Sequence, residues 1–133
     1  MLNFPGERDL LSWLRKLEHT DLEPFLPGID EAWFRQMLSA FQTTALRPDC
    51  TSDPCLSGAV IFHKIIKNHY RIDGNKRSAV ICTYLFFVAN SRHLRIAPDI
   101  LYELARAVAE SHAASEEVVK RIRMRFSEAC DLP

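Results

Sequence analysis

The chain lacks a charge imbalance: seventeen Lys and Arg stand against seventeen Asp and Glu. That excludes nucleic-acid binding driven by bulk charge and leaves any electrostatic function to a local cluster. It has no apolar run of the roughly eighteen or more residues that a membrane span needs. It opens Met-Leu-Asn-Phe-Pro-Gly-Glu-Arg, without a charged segment followed by an apolar one, so no signal peptide is expected. No two of Cys50, Cys55, Cys82 and Cys130 have CxxC spacing, which excludes that kind of metal or redox site. Cys82 sits in an apolar run and reads as a buried free thiol; the expected compartment is reducing and cytoplasmic. Internal repeats and low-complexity segments are absent. At 47% hydrophobic and 26% charged residues, the composition excludes disordered and membrane classes. The 133 residues suffice for one core and are short for two, so a single domain over 1–133 is expected.

What is present is helical periodicity. Leu10, Trp13, Leu14 and Leu17 predict a first amphipathic helix from Asp9 to about His19. Pro24, Pro27 and Gly28 make Asp21 to Asp30 a loop. Asp30 is then the N-cap of a second helix, about Glu31 to Leu46, with Trp33, Phe34, Met37, Leu38 and Phe41 on its apolar face. Arg47 to Pro54 reads as a loop. A third helix is expected from about Cys55 to Asn68, with His63, Lys64 and Lys67 on its later turns. A fourth, Asn75 to about Ala89, is apolar nearly all round and should be buried on most sides. After a short extended link, Pro98 or Asp99 opens a fifth helix to about Ser111. Ser115 is the expected N-cap of the sixth, with Glu116 and Glu117 in its first turn. The fold class expected is a compact all-α bundle of about six helices.

Between the third and fourth helices lies His69-Tyr70-Arg71-Ile72-Asp73-Gly74-Asn75-Lys76-Arg77, the chain's densest chemistry. Free amides at a helix start attract phosphate, and Gly74, lacking a Cβ, lets a phosphate approach closely. The Asn75 amide can donate to a phosphate oxygen. Lys76 and Arg77 add fixed positive charge where a helix disfavours cations unless an anion compensates. Asp73 can ligate magnesium that also holds phosphate oxygens. His69 can take a proton from an incoming hydroxyl near neutral pH. Together these parts describe phosphoryl or nucleotidyl transfer from a nucleoside triphosphate. From His63 to Arg77 there are five Lys or Arg residues and one acid. The bland alternatives are a solvated basic face for Lys64 and Lys67, a packing histidine for His69 and an N-cap for Asp73.

The stretch resembles the Fic/Doc (Fido) family signature, His-x-Phe-x-(Asp/Glu)-Gly-Asn-x-Arg. The likeness extends to Phe62–Asn68 before it, Ser78–Ala89 after it, Leu26-Pro27-Gly28 upstream and the last two helices, and is strongest over residues 20–128. It implies a Fido-type helical bundle with a short flap or hairpin near the site. It also implies an ATP- and Mg2+-dependent transferase acting on a protein hydroxyl; the charge balance and the lack of a long apolar run argue for no nucleic-acid or membrane partner. His69 would be the general base, Asp73 the metal ligand, and Gly74, Asn75, Lys76 and Arg77 the nucleotide and phosphate ligands. The chain is most similar to Doc (death-on-curing) toxins, which place phosphate on a threonine of elongation factor Tu. Lys76 stands where AMP-transferring members have a second glycine, and Val80 replaces their additional arginine. A lysine there crowds the α-phosphate position and favours presenting the γ-phosphate. No inhibitory-helix motif occurs within the chain, so a separate antitoxin protein is implied. Arg71 departs from the motif's phenylalanine. AMP transfer therefore stays open as a second reading, and a catalytically degenerate Fido domain acting as a binding module as a third.

Overall fold

The computed structural model describes residues 2–26, 30–67 and 74–131. Among them are six α-helices: α1 (Glu7–Lys16), α2 (Glu31–Ala45), α3 (Pro54–Lys67), α4 (Asn75–Ala89), α5 (Pro98–Glu110) and α6 (Ser115–Ala129). The all-α bundle expected from periodicity is present. The expected general base His69 and metal ligand Asp73, with Tyr70, Arg71 and Ile72 between them, lie outside the described residues.

Helix starts follow local chemistry. Asp30 caps α2 as expected: its carboxylate accepts the Trp33 amide at 2.7 Å. α3 begins one residue earlier than expected because Pro54 fits the first helical position, where no amide partner is needed. Asp53 caps it, accepting the Leu56 amide at 3.0 Å. α1 spans Glu7–Lys16 rather than Asp9–His19, its first internal bond running from the Leu10 amide to the Gly6 carbonyl. Ser115 is the first helical residue of α6 rather than its cap; Ala114 holds the cap position without a side-chain bond.

α3 and α4 form the centre, with α6 and α2 packed on α3 and α5 on α4. α4 is buried along most of its length, including Ala79, Val80, Ile81, Cys82, Phe86 and Phe87. Val88, on the remaining side, is 64% exposed. Phe62, Phe126, Phe87, Phe86 and Phe4 form a chain of rings with successive centroids 5.2–5.8 Å apart. Edge and tilted contacts of this kind add to the burial of the rings themselves. Gly58 lets α3 approach the ring of Phe87: a Cβ there would stand 2.7 Å from the Phe87 Cζ.

The β structure among the described residues is one antiparallel ladder, pairing His93 with Asp131 and Leu94 with Cys130. It sits after the far end of α4, whose fifteen residues span about 22 Å. Pro27 and Gly28 of the expected flap lie outside the described residues. Upstream of α2, Glu23–Phe25 forms a single 3-10 turn.

Candidate functional site

The described half of the motif is the start of α4. Gly74 is its N-cap, at φ −100° and ψ −11°, so the position does not require glycine for its backbone. Glycine carries no Cβ there, so no side chain of its own stands over the first amides. Asn75 is 7% exposed and is engaged by hydrogen bonding or electrostatics within the protein. Lys76 is half-buried and Arg77 exposed. The first turn of α4 contains no acidic residue. Two cations in the first turn of a helix are unfavourable unless an anion compensates; Asp73, one residue before the cap, lies outside the described residues.

Ser78 fixes this turn, a role that no local pattern around it signals. Its hydroxyl donates to the Gly74 carbonyl at 2.7 Å and accepts the Trp33 indole N–H at 2.7 Å. The Ser78 amide reaches the same carbonyl at 2.9 Å. Trp33 is buried in the first turn of α2, three residues after the Asp30 cap. The first turns of α2 and α4 therefore meet through one buried bond, and both bring partly positive helix starts to this end of the bundle. The available signal was the indole of Trp33, whose N–H needs an acceptor once buried.

The upstream cations go elsewhere. Lys67 donates to the carbonyls of Ala109 (3.4 Å) and Ser111 (3.1 Å), closing the C-terminal end of α5. Lys64 donates to the Thr43 hydroxyl at 2.8 Å. Neither is simply a solvated cation. Both line a cleft of about 910 Å³ between α2, α3 and α6, which Gly74, Asn75, Lys76 and Arg77 do not line. His63 lines it too. Burial, then the charge of Lys67, holds the His63 imidazole below its ordinary pKa. Burial and Arg47 likewise lower the Lys64 ammonium.

Among the described residues no group of three or more His, Cys, Asp or Glu side chains could hold a metal ion. The expected ligand Asp73 is not one of them. All four cysteines are free thiols, Cys50 and Cys82 buried as expected for Cys82. No helix among the described residues is long and apolar enough to cross a membrane. Comparison of the chain with protein-family models, with curated proteins and with solved structures finds no match.

Proposed function

We propose that the chain is a Doc-like protein kinase and toxin of a toxin–antitoxin system, arresting translation by phosphorylating a hydroxyl of a protein target. Elongation factor Tu is the target that the family resemblance suggests. One observation carries the reading: α4 opens with Lys76 and Arg77 on a first turn without an acid, at Gly74. The order Asp73-Gly74-Asn75-Lys76-Arg77 around that turn supports it.

In this reading the amides after Gly74 and the side chains of Lys76 and Arg77 receive the phosphates. Asp73 would hold Mg2+, which neutralises phosphate charge when bound. His69 takes the proton from the target hydroxyl as its oxygen bonds to the γ-phosphorus. The bond from that phosphorus to the bridging oxygen breaks, and ADP leaves. The bond between Trp33 and Ser78 holds the helix start rigid beneath this chemistry, which lowers the cost of positioning.

The test is incubation of the protein with a bacterial lysate, ATP and magnesium, followed by intact mass measurement of the modified target. A single phosphate increment is expected. An AMP increment would overturn phosphate transfer, and no increment with a folded protein would overturn catalysis. His69→Ala should abolish transfer with the circular dichroism spectrum unchanged; retained transfer would remove His69 from the mechanism.

A further inference from the structure

We propose that the cleft between α2, α3 and α6 is a binding site for a small organic anion, a carboxylate or phosphate carrying an apolar body. It is separate from the proposed nucleotide site at the start of α4.

The cleft's volume of about 910 Å³ lies in the range of small-molecule sites. Its lining has two chemistries. Apolar surface comes from Leu56 and Val60 on α3 and Val119 on α6. Charge comes from five cations against the carboxylates of Asp49 and Glu116, in a chain whose overall charge is zero. Two of those cations are already paired within the fold: Arg47 with Asp49 at 2.7 Å and Arg123 with Asp53 at 2.5 Å. Lys67 is committed to the α5 carbonyls. Among the described residues Lys64 has the neutral Thr43 hydroxyl as its one hydrogen-bond partner, and Lys120 is exposed on the α6 wall. Those two ammonium groups are the positive charge available to a ligand.

The groups on the floor crowd one another. His63 and Lys64 are adjacent, both partly removed from water, with Lys67 one turn on and Arg47 across from Lys64. Burial and like charge both disfavour their charged forms, and the negative charge of a bound anion would offset both. The hydroxyls of Ser39 and Thr43 on α2 can complete its hydrogen bonding. An ammonium recognises an anion as a point charge without demanding bidentate geometry, which suits either a carboxylate or a phosphate. The apolar wall then selects ligands with a hydrophobic body over bare ions.

Phenyl phosphate, benzoate and inorganic phosphate are the probes, titrated into the full chain and followed by amide and His63 imidazole NMR shifts. Phenyl phosphate or benzoate should give saturable shifts centred on α2, α3 and α6, at least tenfold tighter than inorganic phosphate. The His63 pKa should rise on saturation. Lys120→Glu, at an exposed position that leaves the core untouched, should weaken binding at least tenfold. Lys64→Ala should weaken it likewise. Absence of saturable shifts with all three probes would overturn the proposal. So would shifts centred on residues 74–77, or affinity unchanged in both variants. Loss of transferase activity would not bear on it, because the readout is binding at α2, α3 and α6.

Discussion

The Trp33 indole N–H and the Ser78 hydroxyl meet at 2.7 Å across forty-five residues of sequence, tying the first turn of α2 to the first turn of α4. Both residues are buried, so neither can substitute water for the other. Breaking such a bond leaves a desolvated donor or acceptor, which costs about 1–3 kcal/mol. Trp33→Phe and Ser78→Ala should each lower stability by that order. Because they share one bond, the double variant should lose less than their sum by about 0.5–1.5 kcal/mol. Urea denaturation of the four proteins measures the cycle. Strict additivity would mean that the two residues act independently.

What was legible in the sequence was local. The Asp30 cap, the helical period and the burial of α4 depend on residues within a few positions of one another. The long-range links were not legible, because period and capping rules carry no information on partners far along the chain. Ser78 reads as an ordinary helix residue until Trp33 is placed beside it. Lys67 reads equally as a solvated cation or as part of a phosphate-binding field until the end of α5 is placed under it. The cleft likewise needs α6 laid against α3 before Lys120 can face Lys64. The cationic start of α4 was legible in outline from Gly74 to Arg77. The burial of Asn75 was not, because it depends on what packs over the turn.

Gly58 is a packing residue, and Gly58→Ala should destabilise. A Cβ would lie 2.7 Å from Cζ and 2.8 Å from Cε2 of Phe87. That ring cannot easily swing away, since it is fully buried between Phe86 and Phe126. Overpacking of this kind costs about 1–3 kcal/mol, despite the better helix propensity of alanine. The urea midpoint should fall with the denaturant slope unchanged. A higher midpoint would show that α3 and α4 can separate at no cost.

Thr83 points the other way. Its hydroxyl is fully buried on α4 and has no hydrogen-bond partner among the described residues. A buried hydroxyl without a partner costs about 1–3 kcal/mol. Valine has nearly the same shape and the same β-branching, so Thr83→Val should raise stability by about 1 kcal/mol. Thermal melting at fixed pH reads the change. A lower melting temperature would imply that the hydroxyl has a partner after all.

His63 makes stability depend on pH in one direction. Its ordinary pKa is 6.5, and in the folded chain burial and then Lys67 hold it lower. The unfolded chain therefore takes up the proton first as pH falls. Its contribution is fully present above about 6.5 and is lost as pH drops through that value toward the folded pKa. Urea midpoints measured from pH 7.5 down to pH 5 should fall less steeply for His63→Gln than for the natural chain. Lys67→Met should raise the His63 pKa, measured on its imidazole protons, by removing the nearby charge. Identical slopes for the His63→Gln variant and the natural chain would exclude His63 as the titrating group.

Lys76 tests the choice of transferred group. It sits half-buried in the second position of α4, beside the amides that the proposed phosphates would meet. In the proposed reaction a lysine there would occupy space and add charge next to the helix start, keeping the phosphate nearest the ribose from the amides and presenting the terminal phosphate to the target. Lys76→Gly clears that space. The target hydroxyl would then attack the α-phosphorus, with pyrophosphate leaving, and AMP would appear on the target in place of phosphate. The substitution costs about 1 kcal/mol of helix stability, small beside the stability of a folded domain. Intact mass of the target after reaction with ATP and magnesium separates the two products. Arg77→Ala, which keeps Lys76, should reduce transfer without changing the product. A phosphate increment undiminished in Lys76→Gly would remove Lys76 as the determinant and leave the orientation of the nucleotide to other residues.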